Sequence, residues 1–172
     1  MKKLHQAIIM LGGNVGDTVC VFESAVRTFE LNHNQLVSAS SIYRTKPWGY
    51  FNQREFLNQL LILNTPMDLN GFHGCCVKIE LLHGKNKEFD NGPRSLDIDI
   101  LFYDSVVVEN EKLTIPHPRM HIRRFNLVPI CELLPDFIHP VLNKKMLDLL
   151  AECEDQDEPS IVIRRKSEKS CL

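Results

Sequence analysis

The apolar residues of this chain recur at every second position in some stretches and at every third or fourth in others. Gln6 to Leu11 is a short apolar run that predicts a strand. After GGNVGD, Thr18 to Leu31 places Val19, Phe22, Val26 and Phe29 at helical spacing. Leu36 to Tyr43 alternates weakly and reads as one strand ending in SSIYR. The irregular RTKPWGYFNQR separates it from a second apolar strand, Phe56 to Leu63. Met67 to His83 predicts a helix with Asp68 as its cap and Leu69, Phe72, Cys76, Ile79 and Leu82 along one side. A polar loop, GKNKEFDNGPR, then leads into GPRSLDIDILFYD. Here Leu96, Ile98, Ile100 and Phe102 alternate with other residues, the pattern of a strand with one buried face.

The order strand, helix, strand, strand, helix, strand predicts an α+β, ferredoxin-like βαββαβ core: a mainly antiparallel sheet with both helices on one face. On that arrangement Leu96, Ile98 and Ile100 point to the helices, and Asp97 and Asp99 point away, on a face that need not be buried. Beyond Asp104, VVVENEKLTI reads as a hairpin with ENE at its turn. PHPRMHIRRFNLVPICELLPDF reads as short helices interrupted by Pro129 and Pro135, and Lys144 to Cys153 as a further helix. From residue 154 the composition turns charged, with IVIRR as an added strand or contact segment. The expected division is a single domain over 1–153 and a charged tail over 154–172.

Composition narrows the function classes. The 172 residues carry 20 Lys plus Arg against 22 Asp plus Glu, a near-neutral balance that argues against a general nucleic-acid binder. The apolar run after the basic N-terminus is too short for a signal-peptide core, and no run approaches a membrane span. The six cysteines form no C-x-x-C pair, so reduced thiols in a cytoplasmic protein are expected, and a monomer with them.

Candidate chemistry concentrates on Asp97 and Asp99. Residues two apart on a strand share a face and lie about 6.5–7 Å apart at Cα. Two carboxylates there repel unless a cation intervenes. Hard cations such as Mg²⁺ take carboxylate, phosphate and water oxygens, and two ions about 3.5–4 Å apart could be bridged by such a D-x-D unit. A solvated polar face is the competing reading. Arg94, three residues upstream, favours phosphate chemistry, because guanidinium and metal both neutralise phosphate oxygens. Lys85 and Lys87 in the preceding loop could close over a polyphosphate. Lys112, His117, Arg119, His121, Arg123 and Arg124 form a second basic cluster.

Two loops bear on the ligand. GGNVGD lacks the Lys-Ser or Lys-Thr of a P-loop and reads as a tight strand-to-helix turn using glycine at positive φ. RTKPWGYFNQREFLN is longer than an ordinary hairpin loop and carries Trp48, Tyr50 and Phe51. Such aromatic loops shape small-molecule pockets, although a plug on the core edge is favoured for at least one of the three. Asn58, set among apolar strand residues, is suited to hydrogen-bond a flat polar ring, and Phe56 shares its face.

Taken together, GPRSLDIDIL, LGGNVGD, SSIYRTKPWG, FLN, KIE with Gly84, and LTIPHPRMHIRRFNLVP resemble one family over Ala7 to Phe137: 6-hydroxymethyl-7,8-dihydropterin pyrophosphokinase of folate biosynthesis. The resemblance implies the ferredoxin-like fold and transfer of pyrophosphate from ATP to the pterin hydroxymethyl group, leaving AMP. It implies that Asp97 and Asp99 hold two Mg²⁺ ions and that Arg94, Asp97 and Lys85 serve catalysis. ATP would meet Glu80, Lys87, Arg94, Ile100, Lys112, Thr114, His117 and Arg123. The pterin would meet Thr45, Pro47, Trp48, Phe56, Asn58 and Phe125, with Phe56 and Phe125 sandwiching the ring. Lys85 stands where the family usually has Arg, and Asn91 where it has Trp, with Phe89 as a substitute. Phe56 replaces a frequent Tyr. Two rivals share the element order. An RNA-recognition module would need an RNP1-like strand, which is lacking. A metal-dependent nucleotide hydrolase or nucleotidyltransferase would lack the pterin-pocket residues.

Overall fold

The N-terminal apolar run becomes β1 (His5–Gly13), an interior strand buried along almost its whole length. It lies antiparallel to β4 (Phe56–Thr65) on one side and to β5 (Asp97–Tyr103) on the other. The coordinates are a computed structural model that describes residues 3–84 and 92–165. Between β1 and β4 run α1 (Thr18–Leu31), β2 (Gln35–Ala39) and β3 (Ile42–Thr45). The stretch expected to be one strand is thus two: β2 pairs with the C-terminal half of β4 and β3 with its N-terminal end. Ser40 sits at the break, its backbone N–H and hydroxyl both bonded to the Leu60 peptide. Helix α2 (Leu69–Leu82) connects β4 to β5, giving the sheet order β5-β1-β4-β3 of a ferredoxin-like fold.

Both connecting helices begin on an aspartate. Asp17 accepts the Cys20 N–H at 3.1 Å, and Asp68 accepts the Gly71 N–H at 2.8 Å, each satisfying one orphan amide of a first turn. Phe22, Ala25 and Phe29 of α1 and Phe72, Cys76 and Ile79 of α2 bury against Ala7, Ile9, Leu11, Leu61 and Leu63 on one sheet face.

The opposite face is covered as well, contrary to the expectation of an open surface. Ile8, Met10, Leu60 and Ile62 bury against α3 (Arg124–Leu133) and α4 (Met146–Glu152) through Leu127, Ile130, Met146 and Leu149. Helix α3 runs through Pro129 without interruption; the ring removes one hydrogen bond, but Leu127 and Ile130 on either side are fully buried. The hairpin of β6 (Val108–Glu109) and β7 (Thr114–Ile115) precedes α3. The last strand among the described residues, β8 (Ser160–Ile163), extends the sheet antiparallel to β3.

The alternation along β5 also breaks. Ile9 pairs with Ile100 and Ile8 with Phe102, so Leu101 is an extra residue, a β-bulge. Leu96, Ile98 and Ile100 face α1 and α2 as expected, but beyond the bulge parity flips. Tyr103 joins that core, whereas Phe102 packs on the α3 side against Phe137 and His139. The displaced Leu101 carbonyl accepts the His117 N–H at 3.0 Å, tying the segment after β7 to the acidic strand.

Candidate active site

Where α3 and α4 leave the second sheet face uncovered, a cavity of about 630 Å³ opens over the ends of β1, β4 and β5. Its floor follows from strand register. Asp97 of β5 pairs with Gly12 of β1, and Gly12 pairs with Asn58 of β4, so acid, glycine and amide lie in one row across three strands. Gly12 lies within the last two residues of β1 and does not belong to a turn. A Cβ there would come within 3.2 Å of Asn58 Oδ1, so glycine keeps the floor open between acid and amide. Of the glycines in GGNVGD, Gly16 has positive φ, at 74°.

The acidic end is built around β5. Asp97 and Asp99 both line the cavity. Arg94 Nε lies 3.1 Å from Asp97 Oδ2, an ion pair by distance without hydrogen-bond alignment. The Arg94 guanidinium also lies 5.1 Å from the Phe56 ring centre, so this one side chain reaches both the acid and the aromatic wall. Glu80 is buried on α2 and accepts the Ile98 N–H at 2.7 Å, fixing the strand between the two aspartates. His117 stands at the cavity edge. Burial, then the Arg119 charge, push its imidazole below the usual histidine range, with Asp97 opposing them weakly.

The other end is aromatic. Phe56 and Asn58 are buried, and Asn58 Nδ2 donates to Thr45 Oγ1 at 2.7 Å. Trp48, Phe125, Lys46 and Asn126 complete the wall. The Arg123 guanidinium lies 3.6 Å from the Trp48 ring centre and that of Arg119 5.6 Å, two cations on one indole.

The structure therefore gathers Thr45, Trp48, Phe56, Asn58, Glu80, Arg94, Asp97, Asp99, His117, Arg123 and Phe125 around one cavity. An adjoining cavity of about 300 Å³ takes in Ile100, Lys112 and Thr114 and shares Asp99 and His117 with the first. Pro47 lies between two lining residues without lining either cavity. Lys85, Lys87, Phe89 and Asn91 lie outside the described residues. His121 and Arg124, counted in the basic cluster, face elsewhere: His121 meets His139 edge-on, and Arg124 pairs with Glu158. Tyr50 and Phe51 are neither plug nor wall; both are exposed, Phe51 at 75%.

Sequence reasoning missed Asn14. Its backbone N–H donates to Arg94 O and its Oδ1 accepts the Arg94 N–H, both at 2.9 Å. Its Nδ2 donates to Gln53 Oε1 and Arg54 O, both at 3.0 Å. One buried amide thus joins the arginine of the acidic end to the loop of the aromatic end. His73, also missed, lies between the two cavities on α2.

A carboxylate pair beside arginines at one end and a buried amide among aromatic rings at the other give the cavity one charged and one aromatic end. Residues 8–135 match the profile of the 7,8-dihydro-6-hydroxymethylpterin-pyrophosphokinase family. The chain belongs to this family of ATP-dependent diphosphotransferases. It is 36% identical over 136 residues to a 2-amino-4-hydroxy-6-hydroxymethyldihydropteridine pyrophosphokinase of Methylorubrum extorquens, covering 78% of this chain and 86% of that protein. With the Aquifex aeolicus protein of the same name it shares 34% identity over 142 residues, covering 83% and 88%. Among solved structures, a Plasmodium falciparum HPPK-DHPS superposes with a TM-score of 0.70 at 16% identity, over 88% of this chain and 46% of that longer one, a likeness of fold. Among the described residues no helix is long and apolar enough to cross a membrane.

Proposed function

We propose that this chain transfers the β,γ-diphosphate of ATP to the hydroxymethyl oxygen of 6-hydroxymethyl-7,8-dihydropterin, by in-line attack on the β-phosphorus. The C–O–Pβ bond forms, the Pα–O–Pβ bond breaks, AMP leaves with the bridging oxygen, and the alcohol loses its proton. The observation that carries this reading is the single row Asp97, Gly12, Asn58, which sets a phosphate-handling end and a ring-binding end on one continuous floor. The cavity is of the size expected for small-molecule sites, about 300–1,000 Å³.

Each residue has a defined task in this reading. Phe56 and Phe125 hold the pterin ring between them, Trp48 closes its side, and Asn58, oriented by Thr45, bonds its polar edge. Arg94 and Arg123 pair with phosphate oxygens, and Lys112, Thr114 and His117 border the nucleotide in the adjoining cavity. An alcohol nucleophile has a high pKa, so positioning and charge neutralisation outweigh a strong base. Asp97 is the carboxylate nearest the ring end of the row and can accept the proton.

Asp97 and Asp99 offer hard oxygen donors. Among the described residues no three His, Cys, Asp or Glu side chains converge as a metal cage. Two carboxylates alone suit Mg²⁺, which is held by one or two carboxylates and completes its shell with water and phosphate. Two such ions, when bound, would neutralise oxygens around the attacked phosphorus and the leaving group.

The test is AMP formation from ATP and Mg²⁺ with and without the reduced pterin. AMP that appears only with pterin, one for each pterin diphosphate, is the expected result. AMP at equal rates without pterin would establish a nucleotide hydrolase instead.

A further inference from the structure

Residues 154–165 lie beyond the part of the chain matched by the family profile, yet they return to the aromatic end of the cavity. Helix α3 starts at Arg124 with no side-chain cap from its own N-cap residue, Arg123. Asp155 takes that place: its Oδ2 accepts the Arg124 N–H at 3.0 Å, putting a carboxylate at the helix N-terminus. The other oxygen, Oδ1, accepts the Asp157 N–H at 3.1 Å. Asp157 Oδ2 in turn accepts the Lys46 N–H at 3.1 Å. A hydrogen-bond relay therefore runs from the start of α3 to the loop after β3. It is flanked by the Arg124–Glu158 ion pair at 2.8 Å and by the β3–β8 ladder.

The two anchored amides belong to two chain segments that border the aromatic end of the cavity. Arg124 lies between Arg123 and Phe125; Lys46 lines the cavity and precedes Trp48 by two residues. We propose that Asp155 and Asp157 are positioning residues, a tail-borne strap that fixes the spacing between the Trp48 loop and the start of α3 and so prepares the pocket for the pterin. The proposal rests on the reaction assigned above. By holding both segments in the folded protein, the strap moves their ordering cost out of the binding step. A tail that served stability alone could be held by β8; the relay instead ends on Lys46, which lines the cavity, and on Arg124, between the lining residues Arg123 and Phe125.

The full chain tests this with D155A/D157A, D157A and D157N. Asparagine keeps an oxygen acceptor for the Lys46 N–H, and alanine removes it. The double alanine variant should raise the KM for pterin by about tenfold while kcat and the KM for ATP change by less than about threefold. D157N should behave as the parent chain. Trp48 is the only tryptophan in the sequence, so acrylamide quenching reads the loop without substrate; its quenching constant should rise in the alanine variants and not in D157N. Should the double variant not fold, D157A against D157N decides. The strap is overturned if D157A and D157N are indistinguishable in both readouts, or if kcat and both KM values worsen together. Absence of pterin-dependent AMP in the parent chain would remove the assigned reaction and leave the quenching result to judge the strap.

Discussion

The two ends of the cavity are held in place by different means. At the acidic end, Asp97 and Asp99 sit in the β1–β5 ladder, the buried Glu80 grips the peptide between them, and the bulge at Leu101 anchors His117. At the aromatic end Phe56 and Asn58 are also ladder-borne, on β4, but Trp48 is 49% exposed on a loop. That loop is fixed by side-chain contacts from Asn14, Asp157 and the guanidinium of Arg123. Charges act most strongly when their positions need no rearrangement during reaction. A planar ring can be gripped by walls that adjust. The acidic end should therefore fail in an all-or-none manner, and the aromatic end by degrees.

The largest effect should come from D97A or D99A. Either should lower turnover by about a thousandfold or more, because in the proposed reading each carboxylate holds the Mg²⁺ that would neutralise phosphate oxygens. Circular dichroism and thermal melts should show a folded chain, which separates lost chemistry from lost structure. Turnover within tenfold of the parent chain would end the assignment of the acid pair.

Next in size is Glu80. E80A leaves the Ile98 N–H of the acidic strand without this acceptor inside the protein and should cost about 2–3 kcal/mol of unfolding free energy. E80Q keeps an acceptor oxygen and should cost less than about 1 kcal/mol. Urea midpoints compare the two. Equal losses would mean that the carboxylate charge, and not the grip on the strand, matters at this position.

His117 offers a smaller, pH-dependent effect. Its folded pKa is lowered, so below about pH 6.5 the unfolded chain takes up a proton that the folded chain resists. The stability contributed by the neutral ring is full above that pH and is lost as pH falls towards the folded value, at most about 1.4 kcal/mol per pH unit. His139, pushed down to about 4 by burial, adds a slope of the same sign. H117N keeps an acceptor for the Arg119 N–H and should remove only part of the slope in urea titrations between pH 7.5 and 5.

What the sequence discloses follows the same division. The ladder-borne parts are legible because alternation places Asp97 and Asp99 on one face and Phe56 and Asn58 on another strand's matching face. The helical spacing of Val19, Phe22, Val26 and Phe29 predicts α1 over Thr18–Leu31, the span it has. The bulge was not legible: Leu101, Phe102 and Tyr103 are all buried, so no polar residue marks the change of parity. Gly12 read as part of a turn because a glycine pair ahead of Asn14 carries the same signal in a loop as at a strand end. Asp155 and Asp157 are two charges in a stretch whose composition says only that it is charged, since their contacts exist only when the chain returns to β3 and α3. Local pattern reports periodicity; it cannot report which distant amide a carboxylate will cap.

Trp48 gives the smallest effect and the sharpest test of a graded aromatic end. Its indole carries Arg123 at 3.6 Å and Arg119 at 5.6 Å, so it touches two cations of the cavity wall. W48F keeps an aromatic face with a weaker quadrupole and less area. Cation–π contacts at such partly exposed sites contribute about 0.5–1 kcal/mol, so the KM for pterin should rise by roughly threefold with kcat nearly unchanged. Arg123 keeps its charge in the variant, and its tether to the loop loosens without breaking. If W48F instead lost turnover on the scale expected for D97A, the loop would be as rigidly required as the acidic strand, and the distinction between the two ends would fall.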